Sequence, residues 1–275
     1  FRRVLFRSMT AVERLLAHPE IPHGPIRVAF TPDEEIGAGT RHFDVAAFGA
    51  VAAYTMDAGS RGELEYESFS ADGMTVSFHG FNTHPGYAKD TLVNAVRAAA
   101  RFIDALPPGA APETTSGYEG FVHPYTVTGG VESVTVRLIV RDFVTAVLKE
   151  RVALVTSIAE ASARAFGARA SVVVDEQYRN MREVLDQHPA VVEYAREAMR
   201  RAGLEPVEKP IRGGTDGSRL SFLGLPTPNV FVGEQNFHSR LEWVSVQDME
   251  TAVDVVLNLA RVWEERSSAT APGRD

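Results

Sequence analysis

The stretch Val28-Ala29-Phe30-Thr31-Pro32-Asp33-Glu34-Glu35-Ile36-Gly37, VAFTPDEEIG, turns from an apolar run into three consecutive acids and then a glycine. A short apolar run closed by turn-forming residues predicts a buried strand over 26–31. A second run, AVAAYTMD over 50–57, also ends in an acid and is expected to be its neighbour in a sheet. Ligands of open α/β sheets sit beyond the carboxyl ends of the strands, where Glu34, Glu35 and Asp57 are expected. Taken one at a time, these acids fit a solvated loop, a helix cap or an ordinary turn. Gathered at one sheet edge, like charges repel unless a cation holds them.

The whole chain sets limits on what such a site serves. Its 275 residues are enough for a substantial core in two domains, and 44% hydrophobic with 23% charged residues is the balance of a globular protein. A formal net charge of −8 argues against a nucleic-acid surface, which needs clustered Lys and Arg. No apolar run approaches the roughly 20 residues of a membrane span. There is no cysteine, so disulfides and thiolate metal ligands are excluded, and any metal site must use His, Asp and Glu.

Residues 1–8, FRRVLFRS, hold three arginines and no acid and are expected to be a non-native leader, with an amphipathic helix starting at Met9. Residues 63–69 alternate as a half-exposed strand does. From 71 to 180 the pattern reads strand, helix, hairpin around Gly129-Gly130, long helix and strand. That βαββαβ order predicts a ferredoxin-like unit inserted as a lid. Residues 9–70 and 181–268 then form one α/β catalytic domain with an open mixed sheet, and 269–275 a polar tail. The domain closes with short strands near 206–211 and 227–233 and helices over 188–202 and 246–265.

Adjacent glutamates are able to divide the labour of a metal site. One coordinates the ion and its neighbour, unligated, takes a proton from water as general base. Among eight histidines, His84 in GFNTHPGYAKD and His238 in GEQNFHSRLEWV stand apart, each on a Gly/Asn loop beyond a strand. The rest sit in surface or packed contexts. In KPIRGGTDGSRLSFLG (209–224), Arg212 and the bare N–H groups of Gly213-Gly214 suit a substrate carboxylate, although a plain turn gives the same sequence.

Together, IPHGPIRVAFTPDEEIGAGTRHFD, GFNTHPGYAKDTLVNA, NMRE and KPIRGGTDGSRLSFLGLPTPN resemble the bacterial tripeptide aminopeptidases of the peptidase T type. These belong to the co-catalytic zinc aminopeptidase and carboxypeptidase family, and the resemblance runs from about Met9 to Glu265. It implies a hydrolase of small peptides in the cytoplasm with two zinc ions per subunit. By motif position it implies Glu34 as general base, Glu35 and His238 as ligands of one zinc and Asp57 as a ligand of the other. His84 is implied as the lid histidine that stabilises the oxyanion, Arg212 as the carboxylate-binding arginine, and Asn180 and Arg141 as further substrate contacts. Oligomeric state stays open.

Ala58 and Glu234 stand where relatives tend to carry glycine. The family also places a His-x-Asp motif and a bridging aspartate upstream of the region where this chain begins, and nothing before Glu34 supplies them. Half a metal site is therefore expected, with poor solubility, weak zinc binding and little activity for the chain alone. Two other readings stay open. One is a related zinc dipeptidase or N-acyl amino acid amidohydrolase, the other a peptide-binding module without catalysis.

Overall fold

The computed structural model describes residues 2–57 and 59–270, and the chain divides into two units, Phe1–Ser68 with Met181–Asp275 and Phe69–Asn180. The first helix, α1 (Arg2–Ala17), starts at Arg2 rather than at the expected Met9. Its buried stripe explains the difference. Arg7, Ala11 and Leu15, each four residues apart, are all buried, so an arginine occupies a place where the periodicity asks for an apolar residue. Ala11 and Leu15 pack with Ile21, Val253 and Leu257.

The two strands expected next are not formed as such. Residues 26–30 form no regular secondary structure and pair with nothing among the described residues, and Ile26, Val28 and Phe30 are 44%, 42% and 40% exposed. Alternate apolar residues make a strand only where a neighbour accepts their hydrogen bonds and covers one face. Over 50–57 a single parallel bridge, Thr55 with Asn229, remains, and Val51 is exposed. Between these segments lies the short α2 (Val45–Phe48), capped by the Asp44 carboxylate on the Ala47 N–H at 2.9 Å. β1 (Glu63–Glu65) is shorter than the expected 63–69.

The second unit follows, as β2 (Ser70–His79), α3 (Ala95–Asp104), β3 (Phe121–Gly129), β4 (Ser133–Asp142), α4 (Thr145–Ala165) and β5 (Arg169–Tyr178). Its sheet is antiparallel throughout, in the order β3-β4-β2-β5. Period-2 alternation decides which face is buried. Met74, Val76 and Phe78 of β2 and Val134, Val136, Leu138 and Val140 of β4 share one core with Ala98 and Phe102 of α3 and Leu148, Val155 and Ala159 of α4. Thr75, Ser77, Thr135 and Arg137 alternate with these residues, and directly opposed Ser77 and Thr135 join their hydroxyls at 3.1 Å. Gly80 ends β2 where a Cβ would lie 2.3 Å from the Val93 carbonyl oxygen, so only glycine fits that approach.

The chain then returns to the first unit with α5 (Arg182–Leu185), α6 (Pro189–Arg201), β6 (Val207–Glu208), α7 (Asp216–Phe222), β7 (Asn229–Val230), the small hairpin β8 (Glu234–Gln235) and β9 (Trp243–Val244), and α8 (Val246–Thr270). The last helix thus runs past the expected Glu265. β1 lies between a parallel β6 and an antiparallel β7, making this a small mixed sheet. Leu64, Val230 and Phe231 pack with Val192, Ala195 and Met199 of α6 and Ala252, Val255 and Leu259 of α8. Tyr54 is tied into this core, donating to the Val191 carbonyl at 2.7 Å and accepting from the Trp263 indole N–H at 3.0 Å. No helix among the described residues is long and apolar enough to cross a membrane.

Candidate active site

The acid triplet sits in a tight reversal within the first unit. Asp33 adopts the left-handed conformation at φ 63°, Glu34–Ile36 form one 3-10 turn, and Gly37 is left-handed again at φ 66°. Aspartate tolerates that region because its short side chain bonds locally, and glycine occupies it freely. The turn closes with the Gly37 N–H on the Glu34 carbonyl at 2.6 Å and the Ala38 N–H on the Asp33 carbonyl at 2.9 Å. Its consequence is that two adjacent glutamates have different surroundings. Glu34 is half-buried and Glu35 is exposed.

His238 comes to this turn from the loop after β8. It too is left-handed, at φ 62°, with its N–H donating to the Glu242 carboxylate at 3.3 Å. Its Nε2 lies 3.1 Å from Glu35 Oε2, with both side chains about three-quarters exposed (73% and 74%). An exposed pair of this kind is worth little as a stabilising ion pair. It does bring an imidazole nitrogen and a carboxylate oxygen, two donors a divalent cation accepts, to one point.

Asp57 and Asp216 complete a cluster of carboxylates. The Glu34 carboxyl is pushed up to about 7, first by burial, then by the charges of Asp57, Asp216 and Glu35, against a downward pull from Arg219. Asp57 is also raised, by burial and then by Asp216 and Glu35, with His238 opposing. Asp216 is raised by burial, while a hydrogen bond from Thr31 and the Arg219 charge pull it down. A carboxylate held near neutrality beside others is what a general base working at neutral pH requires.

Asp216 and Arg219 are not among the residues that the sequence marks out in KPIRGGTDGSRLSFLG, where Arg212 and the Gly pair stand forward. The signal was present: an acid and a base three apart at the start of a helix share one face. Asp216 lies in the first turn of α7, 4% exposed, and its Oδ2 is buried without a hydrogen-bond partner among the described residues. A Cβ on Gly39 would fall 2.4 Å from that oxygen, and one on Gly37 would fall 3.3 Å from Arg219 Nη2. The glycines after the acid triplet thus leave room for these two side chains.

Arg212 is half-buried in the turn before α7. His84, Asn180 and Arg141 belong to the second unit. His84 is exposed and caps a short turn, its Nδ1 accepting from the Gly86 N–H at 3.1 Å. Asn180 is buried, its side-chain amide donating to the Phe143 carbonyl at 2.9 Å and its N–H to Ser70 Oγ at 2.9 Å, so its amide N–H serves the fold. Arg141 lies over the rings of Phe121 and Tyr178, at 5.6 and 5.9 Å. Glu234 pairs with Val244 in the β8–β9 hairpin, and Ala58 lies outside the described residues.

The donors present suit a divalent metal by type, being carboxylates and an imidazole. Among the described residues, however, no group of three or more His, Asp or Glu is arranged to hold one. The chain does contain one His-x-Asp tripeptide, His42-Phe43-Asp44, but it follows the acid triplet rather than preceding it, and its Asp44 caps α2.

Residues 4–262 match the peptidase family M20/M25/M40. The chain belongs to this family. Peptidase T of Exiguobacterium sibiricum is 50% identical over 253 residues, which is 92% of this chain and 62% of that protein. The chain therefore spans about three-fifths of the length of the curated relatives it matches. Among solved structures, the aminopeptidase PepT of Bacillus cereus superposes with a TM-score of 0.81 at 25% identity, over 94% of this chain and 70% of that one. A tripeptidase of Staphylococcus aureus gives 0.83 at 22% identity, over 95% and 70%. The YxeP protein of Bacillus subtilis, described as a dinuclear metal-binding peptidase of the M20 family, gives 0.65 at 18% over 86% and 64%. These solved structures share the mixed α/β fold with open sheets seen here.

Proposed function

We propose that this M20 chain carries the general base and part of the metal-ligand set of an aminopeptidase that removes the N-terminal residue of tripeptides. The observation that carries the reading is the carboxylate cluster, in which half-buried Glu34 is pushed up to about 7 beside exposed Glu35, itself 3.1 Å from His238. The 50% identity to a Peptidase T supports the substrate class. The ferredoxin-like reading of residues 71–180 as an inserted lid rests on their βαββαβ order and sheet order, and a cytoplasmic location on the family resemblance.

Glu35 and His238 would hold one zinc ion and Asp57 a second. Zinc bound there supplies Lewis-acid polarisation of the peptide carbonyl. The remaining chemistry belongs to the chain. Glu34 takes a proton from the attacking water and returns it to the leaving amine, a transfer suited to a carboxyl near 7. By the family resemblance, Arg212 would bind the peptide's terminal carboxylate, Arg141 would be a further contact and His84 would donate a hydrogen bond to the developing oxyanion, whereas Asn180, buried with its amide on the Phe143 carbonyl, serves the fold.

The test places residues 9–265 of this chain in the matched segment of the Exiguobacterium sibiricum Peptidase T and assays tripeptides. Hydrolysis is expected, and Glu34→Gln is expected to lower kcat by about 10²–10⁴-fold with zinc content unchanged. Cleavage of N-acyl amino acids but not tripeptides would move the chain to the amidohydrolase reading. Tripeptide binding that a chelator leaves untouched, without hydrolysis, would make it a binding module. The chain by itself is expected to hold fewer than two zinc ions.

A further inference from the structure

Beneath the carboxylate cluster lies a buried polar junction with no counterpart among the roles already described. Asn229 of β7 is 1% exposed. Its side-chain oxygen accepts hydrogen bonds from the Thr55 hydroxyl and, at 3.3 Å, from the Thr215 hydroxyl. Its side-chain amide donates to Glu65 Oε2 at 3.3 Å. Its backbone pairs with Glu65 across β1 and bridges Thr55. One amide therefore joins four segments of the first unit.

Both hydroxyl partners are near neighbours in sequence of an acid in the cluster. Thr55 is two residues before Asp57, and Thr215 immediately precedes Asp216, which takes a hydrogen bond from Thr31 at the base of the Glu34 turn. Gly217 completes the junction, since a Cβ there would lie 2.9 Å from Asn229 Oδ1 and 2.6 Å from the Thr227 carbonyl oxygen. A carboxamide suits the place better than a carboxylate or an alkyl group. Only an amide accepts from two hydroxyls on one side while donating to a carboxylate on the other.

We infer that Asn229 is a positioning residue: through Thr55 and Thr215 it fixes the two segments that carry Asp57 and Asp216. Buried polar junctions of this kind are costly when incomplete and specify one arrangement when satisfied. The inference rests on the carboxylate cluster being the catalytic centre, but its geometry stands without any activity.

Asn229→Ala is the direct variant, and because it strands buried hydroxyls it is paired with a milder test. Thr55→Val keeps the side-chain shape and removes the hydroxyl, whereas Thr55→Ser keeps the hydroxyl and removes the methyl. Amide hydrogen exchange is followed over 53–57 and 215–218, with β2 and β4 as internal reference. Thr55→Val is expected to speed exchange at both segments by about tenfold, with Thr55→Ser close to the parent. In the tripeptidase chimera the same Val variant is expected to lower kcat about tenfold at constant KM, again restored by Ser. Unchanged exchange in Thr55→Val, or Ser behaving like Val, would overturn the inference. A parent chimera without activity would sink the peptidase reading and leave the exchange result to decide on Asn229 alone.

Discussion

Strands of the inserted unit run nine or ten residues each and pair along nearly their whole length, whereas those of the unit bearing the carboxylates run two or three. Both begin from similar material, short apolar segments rich in Val, Ile and Phe. In the inserted unit β2 and β4 have a partner strand on each side and pack with α3 and α4 in one core, so Val76, Phe78, Val136 and Leu138 are buried. In the other unit Ile26, Val28 and Phe30 have the same alternation and no partner, and they stay exposed. Strand formation is thus a property of a neighbourhood, and one segment's pattern states only what it would do if paired.

The largest effect expected from that contrast is in the inserted core. Phe102 is fully buried against Phe78, with ring centroids 5.5 Å apart. Phe102→Ala removes a ring from a packed interior and is expected to cost about 3–5 kcal/mol in denaturant unfolding. A loss under about 1 kcal/mol would mean this core is far looser than its burial indicates.

The same contrast explains what the sequence made legible. The elements of the inserted unit could be read within a few residues, because alternation over ten positions and long amphipathic helices leave little choice of face. Strands 26–31 and 50–57 were misread because periodicity reports a preference and carries no information about a partner. The start of α1 was misplaced by Arg7, a buried charge inside an otherwise apolar stripe. At the site, the Glu34-Glu35 turn and His238 stood out through residue type and flanking glycine or asparagine. Asp216 and Asn229 did not, since their importance comes from contacts made 14 to 185 positions away in sequence, such as Thr215 with Asn229 and Thr31 with Asp216.

The site unit also carries a pH dependence that sharpens the comparison. Glu65 is pushed up to about 7, chiefly by burial and then by the charges of Glu63 and Asp57, against the hydrogen bond from Asn229 and the pull of Lys209. The folded protein therefore binds this proton more tightly than the unfolded chain, whose carboxyl keeps the ordinary value of 4.5. The protonated form favours folding, so this stabilising contribution is complete below the unfolded value and is lost as pH rises through about 7. Glu65→Gln, which still accepts the Asn229 amide, removes the titration. Between about pH 5 and about pH 8 the parent's thermal midpoint is expected to fall by a few degrees relative to Glu65→Gln. Parallel curves for the two proteins would show that Glu65 is ionised throughout that range.

The smallest effect is expected where the apolar pattern has no partner. Val28 is 42% exposed in a segment without regular secondary structure, so Val28→Thr keeps the branched shape and gives up little buried area. Its cost in denaturant unfolding is expected to stay within about 0.5 kcal/mol, against the several kcal/mol of Phe102→Ala. Solubility is expected to move the other way. Among the described residues this segment has no strand partner, and with Ile26, Val28 and Phe30 exposed it presents backbone groups beside apolar side chains, the combination that pairs with other chains. A hydroxyl in the middle of it weakens that pairing without touching the fold, so sedimentation is expected to show less self-association for Val28→Thr than for the parent. A stability loss above about 1.5 kcal/mol would instead place Val28 in a packed environment and remove the contrast between the two units.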